Sequence, residues 1–176
     1  MAGERELKLP WKRGGDESYL RSREWLVTNG LGGYASGTIA GLPSRKYHGL
    51  LVANLSKPKG RHILISRCDE HVRVGDKAVR FGGAEFLSDG VRGDIHLHLE
   101  EFKLDRRVAV WVFRVDDCLI RKCVSMPHNQ NTVCVRYSLL HGSAVDLDVR
   151  PFLSFRRHDE APQRQLDAVF TLNVES

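Results

Sequence analysis

The sequence predicts an all-β fold, an antiparallel β-sandwich with little helix, on three observations. Apolar residues recur with a period of two along most of the chain, as in strands that bury one face. Short polar breaks separate these runs at hairpin length, so strands recur every 10–15 residues or so, roughly as in a sandwich. No stretch sustains the i, i+3, i+4, i+7 spacing of an amphipathic helix.

Taken in order, Asp69 and Glu70 close an apolar run, and Gly75-Asp76 supplies a two-residue turn in which glycine takes positive φ without penalty. Phe81 to Asp94 holds Gly82, Gly83, Asp89, Gly90 and Gly93 and reads as a loop. Ile95, Leu97 and Leu99 alternate with His96 and His98, which predicts a strand whose phase slips at Glu100-Glu101 before Phe102 and Leu104. A β-bulge explains the slip. Beyond the break at Arg106-Arg107, Val108 to Val115 is apolar on both parities and predicts a central strand covered on both faces. Asp116-Asp117 turns the chain again. Val133, Val135, Tyr137 and Leu139 predict one strand, and Val145, Leu147 and Val149 another after His141-Gly142-Ser143. Near the C-terminus Phe170, Leu172 and Val174 alternate and offer a closing strand.

With 176 residues the chain has room for one domain and its core. Residues 1–22 read as a polar N-terminal segment and 23–176 as a single sandwich domain. An apolar share of 41% and a charged share of 28% exclude a disordered chain. The first twenty residues carry Glu4, Arg5, Glu6, Lys8, Lys12 and Arg13 and have no apolar core, so no signal peptide is read there. No run approaches a membrane span of roughly 18 apolar residues. The expected location is the cytoplasm, without a membrane partner. Cys68, Cys118, Cys123 and Cys134 lack metal-site spacing and read as reduced thiols. The net charge of +5 is spread in pairs such as Arg45-Lys46, Arg106-Arg107 and Arg156-Arg157, which argues against a nucleic-acid partner.

The densest signal runs from Glu24 to Thr38, with four glycines between Gly30 and Gly37. Glycines in that number allow close approach of a ligand or of another chain segment. Gly30, Gly32 and Ala35 fit a dinucleotide fingerprint in form only. No helical pattern follows, and residues 47–60 hold no acid for a ribose. The P-loop pattern is missing as well.

Glu24-Trp25-Leu26-Val27-Thr28-Asn29-Gly30-Leu31-Gly32-Gly33-Tyr34-Ala35-Ser36-Gly37-Thr38 and then Ser44-Arg45-Lys46-Tyr47-His48-Gly49-Leu50-Leu51-Val52 resemble the opening of the N-terminal domain of bacterial and archaeal glycogen debranching enzymes. Asp69-Glu70 and Arg150-Pro151-Phe152 before Arg156-Arg157-His158 are similar to later segments of that family. The likeness runs from about Arg23 to about His158 and leaves Gln163 to Ser176 unplaced. It implies a β-supersandwich that precedes an (α/α)6 barrel holding the catalytic carboxylates of an amylo-α-1,6-glucosidase. The expectation is therefore a truncated sandwich whose catalytic residues lie elsewhere, inactive by itself. The implied partners are glycogen or another α-glucan and a catalytic barrel, in the same or a separate chain.

Glycoside hydrolysis needs two carboxyls about 5–9.5 Å apart across a sugar cleft. Among Glu24, Asp69, Glu70 and Asp159, the adjacent Asp69 and Glu70 should point to opposite faces of a strand. No catalytic residue is assigned. His96, His98 and Glu100 would share a strand face, a pattern that a solvated face explains without metal, so neither metal nor cofactor is expected. Trp25, Asn29, Gly32, Tyr34, Arg45, Lys46, Tyr47 and His48 form the candidate substrate-binding set, mixing donors with aromatic faces suited to sugar hydroxyls and pyranose rings. Against that stands a reading in which Trp25, Tyr34 and Tyr47 are core aromatics while Asn29 and Arg45 brace turns. A stand-alone carbohydrate-binding module and an interaction domain without sugar affinity are the rival functions. Open strand edges also predict a homo-oligomer formed through the C-terminal strand region.

Overall fold

The computed structural model describes residues 6–81 and 94–161. In chain order its elements are β1 (Leu7–Lys8), α1 (Glu17–Arg21), β2 (Glu24–Thr28), β3 (Tyr34–Thr38), β4 (Gly49–Leu55), β5 (Gly60–Val74), β6 (Lys77–Phe81), α2 (Ile95–His98), β7 (Leu99–Asp105), β8 (Val108–Val115), β9 (Cys118–Ser125), β10 (Cys134–His141) and β11 (Asp146–Arg157). Two antiparallel sheets result. One runs β1-β7-β8-β9-β10; the other runs β11-β5-β4-β3-β2, with β6 paired to the far end of β5. The sandwich read from the alternation is therefore present. Gly75, Arg106 and Asp116 take positive φ at the first position of the predicted two-residue turns.

The sheets face each other through Trp25, Val27, Ala35, Leu50, Leu51, Val72 and Phe81 on one side and Phe102, Ala109, Trp111, Phe113, Val115 and Ile120 on the other. Trp25 meets Trp111 edge to face at 5.2 Å, and Phe81 stacks on Phe113 at 4.0 Å. Both indoles satisfy their N–H groups, Trp25 on the Thr38 carbonyl at 3.3 Å and Trp111 on that of Ile39 at 3.1 Å. Aromatic rings can fill a core at this density only when such donors find partners. The polar segment before residue 23 is joined to the sandwich: β1 pairs with β7, Leu20 is buried, and Trp11 Nε1 donates to the Leu99 carbonyl at 2.9 Å.

β8 occupies the same eight residues that the apolar run predicted and lies between β7 and β9. Its odd residues from Ala109 to Val115 are buried in the core, while on the other face Val110 is buried and Val112 and Arg114 are half-buried. The phase slip at Glu100-Glu101 is a register shift between Leu99 and Glu101, as a bulge requires. Ile95 to His98 corrects the sequence reading, because it forms a single helical turn and not a strand. Ile95 and Leu99, four apart, are both buried while Leu97 is 49% exposed, which is the helical spacing. Three alternating residues fit either period. His96, His98 and Glu100 therefore do not share a strand face: His98 Nδ1 contacts the Arg114 carbonyl at 2.9 Å, and Arg114 Nε donates to Glu100 at 2.6 Å.

At the β10–β11 side the two sheets part. Val149 and Leu153, opposite Glu70 and Ile65 on the inner face, are 37% and 52% exposed, and Leu139 and Phe155 are also exposed. Most of the loop read at Phe81 to Asp94, and the alternation of Phe170, Leu172 and Val174, lie outside the described residues. No helix among the described residues is long and apolar enough to cross a membrane.

Candidate functional site

Residues 43–48 join the end of the β2–β3 hairpin to β4 and fold over the outer face of the second sheet. Beneath them runs one cross-strand row, Tyr34–Val52–Ile63–Arg156, in register across β3, β4, β5 and β11. Val52 and Ile63 are fully buried although they face away from the main core. Gly49 has to be glycine here, because a Cβ would stand 2.9 Å from Val52 and 3.1 Å from Ile63.

The loop is tied down by its own histidine. His48 is buried, and its Nδ1 accepts from the backbone N–H groups of Ser44 and Arg45 at 3.1 and 3.3 Å. Two donors on Nδ1 leave the ring proton on Nε2, which lies 3.6 Å from Glu24 Oε2. Arg45 Nε donates to the other oxygen of Glu24. The hydrogen bond from Arg45 holds the Glu24 carboxyl below its ordinary range, and burial pushes the His48 pKa down despite the carboxylate nearby. Glu24 is thus a loop anchor, hydrogen-bonded by Arg45 and close to the buried His48 Nε2, which has no hydrogen-bond partner among the described residues.

Further along, the Tyr34 hydroxyl donates to the Tyr47 carbonyl at 2.9 Å, and Arg156 Nη2 donates to the Lys46 carbonyl at 2.7 Å. Burial raises the Tyr34 pKa, so the phenol stays a donor. The Ser44, Arg45 and His48 N–H groups and the Arg45, Lys46 and Tyr47 carbonyls of the loop are thus engaged, while side chains of Arg45, Lys46 and Tyr47 reach solvent, with the Arg45 guanidinium 6.0 Å from the Tyr47 ring. Next to Tyr34 an open groove of about 450 Å³ is lined by Leu26, Thr28, Gly30, Gly32, Gly33 and Arg61. Of the eight residues read from sequence, Tyr34, Arg45, Lys46, Tyr47 and His48 come together, and Gly32 lines the adjoining groove.

Trp25 and Asn29 lie elsewhere. Trp25 is in the core, as described above. Asn29 is fully buried at the end of the β2–β3 hairpin, where its Oδ1 accepts from Leu31 and Gly33 N–H at 2.9 and 3.0 Å and its Nδ2 donates to the Gln130 carbonyl and Asn131 Oδ1 at 2.8 and 3.1 Å. The glycines admit a chain segment: a Cβ on Gly30 would stand 2.5 Å from the His128 ring, and one on Gly33 2.6 Å from Asn29 Nδ2. Asn131 also bonds both backbone groups of Asn54, and Asn54 Nδ2 reaches the Leu31 carbonyl at 2.7 Å. This corner staples the β9–β10 connection to the other sheet.

The other carboxylates are equally engaged. Asp69 and Glu70 point to opposite faces, as their adjacency in a strand demands. Asp69 binds Arg67 and Arg80, and Glu70 takes Lys122 and the Tyr137 hydroxyl between the sheets. Asp159 is bound by Arg157. Sequence reading missed Arg61 and Arg156 as parts of the site. Arg156 is 110 residues from the carbonyl it holds, and no short-range pattern marks that pairing.

The family described as glycogen debranching enzyme N terminal matches residues 23–173. The match starts where the resemblance starts, and it runs past His158 through most of the tail that the resemblance left unplaced. Among curated proteins and among solved structures, none matches the chain. With the match covering most of its length and the expected β-rich fold in place, the chain belongs to the glycogen debranching enzyme N-terminal family.

Proposed function

We propose that this domain is a non-catalytic accessory of a debranching-type protein and offers an α-glucan a contact surface made of Arg45, Lys46 and Tyr47, held from beneath by Tyr34, with Arg61 along the adjoining groove. One observation carries the reading: the loop 43–48 has its backbone fixed from beneath while an aromatic ring and two cations remain exposed side by side. A pyranose offers an apolar face for a ring and hydroxyls for donors, so a pre-set patch of this kind binds it with little ordering cost. The non-catalytic part of the reading is supported by the carboxylates described above, since Glu24, Asp69 and Glu70 are each held by cations.

Maltoheptaose titration followed by heteronuclear NMR tests the surface. Shifts should concentrate on residues 34 and 44–48, and Tyr47→Ala or Arg45→Ala should weaken binding by ~10-fold, while His98→Ala leaves it alone. Shifts confined to other regions, or equal losses in all three variants, would remove the surface from consideration.

A further inference from the structure

We propose that Arg156, with Tyr34, is a positioning residue for this surface: the two form a clamp that sets the pose of Lys46 and Tyr47. The inference rests on the α-glucan reading for its functional consequence and on the outer-face row for its geometry. Tyr34 and Arg156 stand at the two ends of that row, with Val52 and Ile63 buried between them. The loop crosses above this apolar pair, and each end of the row donates one hydrogen bond upward, to the carbonyls of Tyr47 and Lys46.

Those two carbonyls belong to a surface loop, where water could satisfy them equally well. Their capture by side chains therefore adds little to stability and instead fixes direction. The side chain of Tyr47 leaves the backbone between the two captured carbonyls, so its ring direction follows the clamp.

Arg156 is suited to this task in a way lysine is not. Its Nη1 donates to the Glu160 carbonyl at 2.7 Å and to that of Arg157 at 3.3 Å, while Nη2 holds Lys46. The planar fork thereby bridges the turn that follows β11 and the loop before β4 in one rigid unit. A lysine ammonium has no such fork and would engage the two segments as a mobile point charge. The same turn is fastened to β5 by the His158 N–H on the Arg61 carbonyl at 3.2 Å, and the His158 ring lies 6.3 Å from that of Tyr34. The loop's anchor is thus itself anchored.

The test compares Arg156→Ala, Arg156→Lys and Tyr34→Phe with the parent chain, using amide hydrogen exchange, thermal unfolding and maltoheptaose titration. Arg156→Ala should speed exchange in residues 45–48 and weaken maltoheptaose binding by ~10-fold, as when the loop keeps its binding pose only about a tenth of the time, while the unfolding midpoint falls by no more than a few degrees. Lysine should fail to restore binding, and free guanidinium ion added to Arg156→Ala should restore part of it. Tyr34→Phe keeps the ring and should loosen the same loop, which keeps the test decisive if the alanine variant unfolds. Unchanged exchange at 45–48 in both variants would overturn the clamp. Loosened exchange in both variants of a parent that ignores maltoheptaose would leave the clamp standing and sink the sugar reading alone.

Discussion

Two loops of the second sheet hold their backbones in opposite ways. In the β2–β3 corner, residues 29–33, the buried Asn29 accepts from the Leu31 and Gly33 N–H groups, Asn54 and Arg61 donate to the Leu31 and Gly32 carbonyls, and a second segment, 128–131, packs against Gly30 and Gly33. In the loop 43–48 the satisfying groups lie beneath, on His48, Tyr34 and Arg156, and the remaining side chains face water. The first arrangement is a staple and the second a platform. A glycine-rich or hydrogen-bonded loop is therefore no sign of a ligand until the direction of its free side chains is known.

The comparison breaks first at the staple. Asn29→Ala orphans the N–H groups of Leu31 and Gly33 and removes two donors to the 130–131 segment, so it should cost about 3 kcal/mol or more in urea unfolding. Gly30→Ala meets both the His128 ring and a φ of +83° and should be destabilising in the same assay, by roughly 1–3 kcal/mol. A loss below half a kcal/mol for Asn29→Ala, on the order of an ordinary surface change, would show the staple to be dispensable.

A smaller effect is expected under the platform, and it is set by pH. The His48 pKa is lowered by burial from 6.5, so the unfolded chain takes up that proton before the folded one. The stability from neutral His48 is fully present above 6.5 and falls as pH drops below it toward the lowered value. Glu24, lowered by Arg45 from 4.5, loses its contribution only further down, as pH falls below 4.5. His158, also lowered by burial, acts in the same direction as His48. His48→Gln should flatten the fall in urea midpoint between pH 7.5 and 5.5; an unaltered slope would place the proton uptake elsewhere, His158 being the first alternative.

The smallest effect sharpens the contrast. Arg45→Met breaks an exposed ion pair with Glu24 and should leave the urea midpoint almost unchanged while it weakens α-glucan binding. A stability loss as large as that of Asn29→Ala would make the 43–48 loop a second staple and leave no platform.

Sequence alone settled what depends on near neighbours. The unbroken apolar run that makes β8, the alternation that opens β11, the two-residue turns at Gly75 and Asp116, the bulge before Phe102 and the opposed faces of Asp69 and Glu70 all follow from local geometry, which each residue carries with it. The turn Ile95–His98 was misread because three alternating positions are too few to separate two periods, and Trp11 and Gly14, which bond the Leu99 and His96 carbonyls, are distant in the chain. Tertiary structure alone decided which of the candidate residues became core, staple or platform. Trp25 went to Trp111, Asn29 to the 130–131 segment, and Lys46 to Arg156, each partner about 85 to 110 positions away. Such pairings are set by how two sheets register and stack, and the burial of Val52 and Ile63 between Tyr34 and Arg156 exists only once β3, β4, β5 and β11 stand side by side.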